Sequence, residues 1–196
     1  MDRILTVEQM TFCEHEAEKY GVSLAQLMDN AAAQLAEVIA SNSSASSKIV
    51  LLIGKGNNGG DGLVAANLLA EQGLKPAVAL CCGEPDTDLS SAAYARLDKS
   101  VEVLKAENAQ DYIEGADVLV DCIFGTGFHG SLRENILPVF RACEKCEGMK
   151  IACDLPSGVN ARNGQADKLS FKADVTVTFH RGKLGLYLQP AVDFCG

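Results

Sequence analysis

A strongly apolar segment followed at once by a glycine-rich loop constrains the fold of this chain more than any other feature. The segment is Ile49-Val50-Leu51-Leu52-Ile53, and the loop is Gly54-Lys55-Gly56-Asn57-Asn58-Gly59-Gly60-Asp61-Gly62. A near-continuous apolar run is typical of a parallel strand that is covered on both faces. Glycines directly after such a strand permit a tight turn and a close approach of the backbone to a ligand. The pattern predicts a ligand-binding strand-to-helix turn in a Rossmann-like α/β domain.

Strands and helices continue to alternate along the rest of the chain. Helices separate the further strands, which are predicted at residues 76–81, 101–104, 117–121, 150–154 and 174–179. Two amphipathic helices come before the first strand, and capping-box sequences at Thr6 and Ser23 mark where they begin. This order predicts a three-layer αβα sandwich with a mostly parallel central sheet and two N-terminal helices. We expect the 196 residues to form a single domain, residues 1–196.

Charge and composition narrow the class of function. The net charge of −9 argues against a nucleic-acid partner, because a phosphate backbone needs a basic face. No run approaches about 18 consecutive apolar residues, so the sequence predicts no membrane association. Residues 1–8 turn acidic before the apolar core of a signal peptide can form, which predicts a cytoplasmic protein.

The chain has eight cysteines, which require an interpretation. Four of them lie within or at the ends of predicted strands, where a thiol behaves as a small apolar side chain: Cys81, Cys82, Cys122 and Cys153. Cys143 and Cys146 form the one CxxC sequence, but no second pair follows at the spacing of a zinc site. We interpret the cysteines as core residues and not as a metal or redox centre.

Polar residues and glycines follow three of the predicted strands. The glycine loop follows the first, Asp121 ends a later one, and Asp154 ends the next. Ligands of parallel α/β sheets bind beyond the carboxyl ends of the strands, so these residues should share one cleft. The two aspartates are candidates for general acid/base groups or cation ligands. Carboxylates also cap turns, but two of them at one sheet edge favour a functional role.

Three familiar kinds of site fit the sequence poorly. The loop contains GxGxxG, but Glu84 is a poor match for the acidic residue that a dinucleotide fold needs about 20 positions later. Asp61 stands where a P-loop requires a lysine. Ser157 has no GxSxG frame, and no catalytic histidine is evident among His15, His129 and His180. Asn57 and Asn58 either contact a ligand or only supply turn conformations.

Taken together, these segments resemble the YjeF N-terminal domain family, the NAD(P)HX epimerases. The resemblance runs in order through Leu27-Met28-Asp29-Asn30, Gly56 to Gly62, Asp121 to Gly127, and Asp154-Leu155-Pro156-Ser157-Gly158. It implies an isomerase of metabolite repair that interconverts the R and S epimers of hydrated NADH and NADPH (NADHX and NADPHX) at nicotinamide C6. A separate ATP- or ADP-dependent dehydratase would then restore the cofactor.

The resemblance also implies a set of site residues. Asp154 would be the catalytic acid/base group, protonating the departing hydroxyl and then activating water. The substrate would contact Asp154 together with Asn57, Asn58, Gly59, Gly60, Asp61, Gly125, Thr126, Gly127, Phe128, His129, Gly130 and Ser131. A potassium ion (K+) would bind the oxygen atoms of Asn58, Asp121 and Ser157, which suit a hard cation.

Two further expectations concern the helix near Ser131 and the side chain of Lys183. A helix predicted to begin at the Ser131 capping box would bring backbone N–H groups near the pyrophosphate. Lys183 is expected to be an exposed lysine at a strand end, with at most a small part in orienting the ligand.

The resemblance implies a homodimer and leaves open what lies beyond the last residues. Family members usually continue past Asp193-Phe194-Cys195-Gly196 into one more strand. We therefore expect either truncation at the C-terminal strand or one half of a bifunctional epimerase/dehydratase, each with an exposed sheet edge. The alternative functions are a non-catalytic ligand- or protein-binding scaffold domain, which the intact polar loops disfavour, and an NAD-dependent oxidoreductase, for which the chain lacks a substrate domain.

Overall fold

The computed structural model describes residues 4–196, which form one parallel sheet of six strands between two layers of helices. The strands are β1 (Ile49–Ile53), β2 (Pro76–Leu80), β3 (Glu102–Lys105), β4 (Val118–Cys122), β5 (Met149–Cys153) and β6 (Val175–Val177). Their order in the sheet is β3-β2-β1-β4-β5-β6, and every neighbouring pair is parallel. The structure therefore confirms the predicted α/β sandwich.

Six α-helices flank the sheet within the described residues. They are α1 (Val7–Lys19), α2 (Leu24–Ser41), α3 (Asn57–Glu71), α4 (Asp88–Ala95), α5 (Gln110–Glu114) and α6 (Leu137–Lys145). Short 3-10 turns lie at Ala106–Asn108, Glu134–Ile136, Leu184–Tyr187 and Ala191–Phe194. No helix in this part of the chain is long and apolar enough to cross a membrane.

Both faces of the sheet are buried, as the apolar run of β1 predicts. Side chains alternate between the faces of a strand. Leu51 packs with α2 and α3 on one face, whereas Leu52 packs with α5 and α6 on the other. Cys143 and Cys146 are buried within the second of these clusters, where they serve as apolar side chains. All five residues of β1 are buried, so the strand that precedes the glycine loop is the centre of the core.

Two glycines let α3 pack unusually close to its neighbours. A Cβ atom at Gly60 would lie 2.6 Å from Cε of Met28, and one at Gly62 would lie 2.7 Å from Sγ of Cys122. Both distances are shorter than any ordinary contact. The end of the Met28 side chain can move aside, but Cβ of Cys122 on β4 lies 2.8 Å from the same position at Gly62, so a larger residue there would push the helix away from β4. Gly62 therefore fixes the position of the helix that begins at the loop.

The start of α6 differs from the prediction. The structure places the helix at Leu137–Lys145, after a 3-10 turn, and the side chain of Ser131 caps neither of them. The N–H of Leu132 instead donates to Oδ2 of Asp167 at 3.1 Å, which holds this segment as a loop. Pro138 lies in the first turn of α6, the part of a helix that tolerates proline. The expected helix start near a bound pyrophosphate is therefore wrong at this position.

The other helix starts agree better with the sequence. Thr6 forms a full capping box, since its side chain accepts from the N–H of Gln9 and the Gln9 side chain accepts from the N–H of Thr6. Ser23 forms only one half, by accepting from the N–H of Gln26. At the far end of the chain, the carbonyl oxygen of Cys195 accepts from Oγ1 of Thr176 at 2.6 Å. The last turn therefore packs against β6.

Candidate functional site

A cleft of about 1470 Å³ opens at the carboxyl ends of the strands. The loops after β1, β4, β5 and β6 form its floor. This position agrees with the expectation that a ligand binds beyond the carboxyl ends of parallel strands. Residues of α1 and α2, including Glu14 and Met28, form a further wall. The cleft exceeds the roughly 300–1,000 Å³ of common small-molecule sites, so it can hold an extended ligand.

The first turn of α3 forms one wall of the cleft. Its N-cap is Gly56, and no side chain caps the free N–H groups of that turn. The loop is held from behind by α4, since Oγ1 of Thr87 donates to Oδ1 of Asn57 at 2.7 Å. Ser90 Oγ adds a bond of 2.8 Å to the carbonyl oxygen of Lys55. An uncapped, anchored helix start carries partial positive charge and binds anions such as phosphate.

Asp121 and Ser157 form a buried hydrogen-bonded unit below the cleft. Asp121 Oδ2 accepts from the N–H of Ser157 at 2.7 Å, and Oδ1 accepts from Oγ of Ser157 at 2.7 Å. The N–H of Ile123 also donates to Oδ1, at 3.1 Å. Burial raises the pKa of Asp121 to about 6, although the bonds from Ser157 and Ile123 act in the opposite direction. All of these donors are neutral, so no side-chain cation of residues 4–196 is bonded to this carboxyl.

Asn58 lies against the same loop. The N–H of Phe124 donates to Oγ of Ser157 at 2.8 Å, and a Cβ atom at the next residue, Gly125, would lie 3.3 Å from Oδ1 of Asn58. Within residues 4–196, the buried Nδ2 atom of Asn58 has no hydrogen-bond partner. A buried amide without a partner is costly, which indicates that a ligand completes its surroundings.

Asp154 is held by a buried lysine. Lys183 Nζ donates to Oδ1 of Asp154, to Oγ1 of Thr178 at 3.0 Å and to the carbonyl oxygen of Phe179 at 2.9 Å. The lysine side chain is 1% exposed and the aspartate side chain 13%. Asp154 also has a positive φ of 65°, which is uncommon for a residue other than glycine. The expectation of an exposed Lys183 is wrong, because these acceptors satisfy the ammonium group in the interior.

Two more carboxyl groups face Asp154 in the cleft. Burial raises the pKa of Asp61 well above its ordinary value, and the charges of Asp154 and Glu14 raise it further. Burial also raises the pKa of Glu14, with a second contribution from Asp154. Lys183 opposes both shifts. The cleft thus brings three carboxyl groups together near the Lys183 ammonium group.

Comparison with known proteins places the chain. The family model described as YjeF-related protein N-terminus matches residues 24–185. The NAD(P)H-hydrate epimerase of Nitrosopumilus maritimus is 35% identical over 188 residues, which cover 93% of this chain and 87% of that protein.

This chain belongs to the YjeF-related N-terminus family. It is also 35% identical over 198 residues to the Bifunctional NAD(P)H-hydrate repair enzyme Nnr of Hyperthermus butylicus, covering 98% of this chain but 37% of that protein. The chain spans about two fifths of the length of four such bifunctional relatives. The crystal structure of yeast ynu0 has a TM-score of 0.83 at 24% identity, over 93% of this chain and 82% of the yeast chain, and it shares the fold.

The structure of this YjeF-related domain brings most of the predicted substrate residues to the cleft. Those that line it are Asn57, Asn58, Asp61, Gly125, Thr126, Gly127, Phe128, His129, Ser131 and Asp154. Gly59, Gly60 and Gly130 do not line it, and the first two are buried in the packing of α3. Cys82 is only partly buried and lies in the cleft, unlike the core position predicted for it. Substrate contact and cation binding stay predictions for all of these residues.

Sequence reasoning missed the wall formed by α1. Four of its side chains line the cleft at helical spacing: Met10, Cys13, Glu14 and Ala17. A stripe of this kind with one carboxylate in it was the available signal. The burial of Lys183 had no local signal, because its partner Asp154 lies 29 residues earlier in the chain.

Proposed function

We propose that this domain is an NAD(P)H-hydrate epimerase, an isomerase that interconverts the R and S epimers of NADHX and NADPHX at nicotinamide C6. The proposal rests on one observation in the structure. The cleft combines an uncapped helix start, suited to a pyrophosphate, with the Asp154–Lys183 pair. The names of relatives such as the Nitrosopumilus maritimus epimerase agree with it.

The walls of the cleft suit the parts of a hydrated dinucleotide. The free N–H groups at the start of α3 would bind the phosphates. Phe124 and Phe128 line the cleft as a stacked pair, with ring centroids 5.3 Å apart. Such a pair offers an apolar surface on which a flat ring can lie. The substrate would then lie between α3 and the ends of β4 and β5.

The chemistry at C6 needs a carboxylate close to the ring. C6 carries a hydroxyl and the ring nitrogen, so departure of the hydroxyl leaves a cation that the nitrogen stabilises. Water can return to either face, which interconverts the epimers. The Asp154 carboxylate would stabilise the cation and accept a proton from the incoming water. Lys183 would hold the Asp154 side chain in place.

We also propose that potassium binds at Asn58, Asp121 and Ser157. The donor set consists of hard oxygen atoms, which suit a hard cation. Among the described residues, the buried Asp121 carboxyl accepts hydrogen bonds from neutral donors only, so an added cation fits this place. A bound potassium ion would supply the positive charge that the carboxylate lacks there.

We also propose a functional partner for this domain. The relatives called bifunctional extend well beyond the part that this chain covers, which agrees with a functional link to an ATP- or ADP-dependent NAD(P)HX dehydratase. A homodimer and a cytoplasmic location stay predictions from the sequence.

Chromatography of the two epimers tests the proposed activity. Purified protein mixed with a single NADHX epimer should reach the R/S equilibrium well ahead of the spontaneous reaction, and faster with potassium than without it. Asp154→Asn should lose at least about tenfold in turnover, since acid/base catalysis contributes at least that much. Tight binding of NADHX with no acceleration would instead identify a scaffold domain. Near-normal turnover of the variant would remove Asp154 from the mechanism.

A further inference from the structure

Two carboxyl groups reach the cleft from different walls. Asp61 lies just past the first turn of α3, which follows β1, and Asp154 follows β5. In the sheet β4 separates β1 from β5, so the two aspartates approach the ligand space from separate positions. An epimerase needs such a pair, because a hydroxyl departs from one face of the ring and water returns to the other.

The surroundings of the two groups differ in kind. Asp154 is paired with the buried Lys183 ammonium and also accepts from Oγ1 of Thr178 at 3.4 Å. Both contacts hold the Asp154 carboxyl in place. Asp61 has neither a hydrogen bond nor an ion pair from another side chain in the described part of the chain, and it is half-buried.

The groups that face Asp61 favour its protonated form. Glu14 on α1 and Asp154 after β5 are acidic, while Lys183 is the cation on that side. Beneath it, Cys122 on β4 and Cys153 on β5 are buried thiols. A desolvated carboxyl next to like charges retains its proton to higher pH.

We propose that Asp61 is the general acid of the epimerisation and that Asp154 is the general base. This assignment rests on the epimerase function proposed above. The Asp61 carboxylic acid gives its proton to the C6 hydroxyl oxygen, the C6–O bond breaks, and water leaves with the electron pair. The ring nitrogen shares its lone pair with C6. A second water then attacks the opposite face, its oxygen forms the new C6–O bond, and Asp154 accepts its proton.

The cycle closes without any other reactant. One proton leaves Asp61 and one arrives at Asp154, and exchange with solvent in the open cleft returns both groups to their starting states. No atom is oxidised or reduced. The reverse reaction uses protonated Asp154 as the acid, so both epimers are substrates. A carboxyl group whose surroundings raise its pKa is commonly the general acid in such a reaction.

Exchange of oxygen at C6 gives the most direct test. Each turnover in water enriched in oxygen-18 should insert one labelled oxygen into NADHX, as mass spectrometry detects. Asp61→Asn should lose about 100-fold or more in labelling and in epimerisation, as expected for a general acid, while calorimetry shows NADHX still binding. Asp88→Asn is the matched control, because Asp88 also lies near the start of a helix but is exposed and outside the cleft. The control should keep full activity.

The pH profile separates a catalytic role from a structural one. The wild-type rate should fall at high pH as Asp61 loses its proton. Glu14→Gln removes one of the charges that raise the pKa of Asp61, so this fall should move to lower pH. An unchanged profile in Glu14→Gln, full activity in Asp61→Asn, or loss of NADHX binding in a folded Asp61→Asn would each overturn the assignment.

A spectroscopic measurement keeps the inference separate from the proposed function. The infrared difference spectrum of wild type minus Asp61→Asn at pH 7 should contain the C=O stretch of a protonated carboxyl group. Absence of that band would reject Asp61 as an acid even in an active enzyme. A wild-type protein that shows the band but never epimerises NADHX would instead refute the proposed function, and with it the role of Asp61 in this reaction.

Discussion

Asp121 and Asp154 lie at the ends of neighbouring strands, yet the partners of the two carboxyl groups differ in charge. Asp154 has its own cation in Lys183, buried beside it. Asp121 is fully buried and, among the described residues, accepts hydrogen bonds only from neutral groups of Ser157 and Ile123. Burial raises the pKa of Asp121 to about 6.

The chain itself neutralises the charge of Asp154, whereas a bound ion can neutralise the charge of Asp121. A lysine is permanent, so the Asp154 region keeps its charge balance at any salt composition. Burial without a cation costs free energy, so the Asp121 region should be sensitive to small cations and to protons. The following predictions test this difference by changing the surroundings of Asp154 or of Asp121.

Removal of the internal cation should have the largest effect. Lys183→Met would leave Asp154 unpaired in the interior, and loss of one partner of a buried pair costs about 3–5 kcal/mol in the free energy of unfolding. Urea denaturation measures this cost. The matched control is Lys145→Met, because Lys145 pairs with Glu114 at 2.8 Å on the surface. That loss should stay below about 1 kcal/mol.

A double variant checks the cause of the effect. Lys183→Met combined with Asp154→Asn should recover part of the lost stability, since no uncompensated charge remains. Equal losses in the single and double variants would show that packing of the lysine stem, and not its charge, stabilises this region.

The Asp121 region should respond less strongly to a side-chain deletion. Ser157→Ala removes a hydroxyl that donates to Asp121 and accepts from the N–H of Phe124. We expect a loss of about 2 kcal/mol in the free energy of unfolding, since a buried donor is left without a partner. The same variant should reduce stabilisation by potassium, whereas Ser91→Ala, at an exposed serine of α4, should not. Full potassium stabilisation in Ser157→Ala would place the ion elsewhere.

Removal of potassium should have a smaller, pH-dependent effect. At a concentration tenfold above its dissociation constant, potassium would add about 1.4 kcal/mol to the free energy of unfolding. The folded-state pKa of Asp121 is raised, so without the ion the stabilising contribution of this group is lost as pH rises through about 6. Potassium binds the ionised form, so its stabilisation should appear above pH 6 and disappear below it.

Thermal unfolding in potassium chloride and in tetramethylammonium chloride, at equal ionic strength, measures this difference. A shift of the same size at pH 5 and pH 8 would exclude Asp121 as the group that binds the ion.

The smallest expected loss of stability follows removal of the hydrogen bond between Thr178 and the lysine of the ion pair. Thr178 accepts a hydrogen bond of 3.0 Å from Lys183, and the lysine retains its other two acceptors without it. Thr178→Val should therefore cost about 1 kcal/mol in urea denaturation, the usual contribution of one hydrogen bond. A loss as large as that of Lys183→Met would mean that Thr178 is essential for the pair to form.

The sequence predicts those parts of this site that depend on neighbouring residues. Five apolar residues in a row predict β1, and the glycines after it predict the turn into α3, because both patterns express local geometry. The same holds for Asp121 and Asp154, whose positions at strand ends follow from the strands themselves.

Prediction fails where distant parts of the chain meet. The Lys183 side chain is buried only because the Asp154 loop lies beside it, and an isolated lysine is typically exposed. Glu14 reaches the cleft because α1 packs over the strand ends. The error at Ser131 is different, since Pro138 already indicated locally that the helix begins later.

The strand order also determines how long β1 remains without one of its neighbours while the chain is being translated. The central strand β1 pairs with β2 on one side, but its other neighbour, β4, comes much later in the chain. Lys48, just before β1, bonds to Asp117, which is 69 residues further on. At about 5–20 residues per second, the most apolar strand waits roughly 3–14 s for that neighbour to be translated. During this interval its backbone edge is open to unwanted pairing, so nascent chains of this domain should depend on chaperones more than the finished protein does.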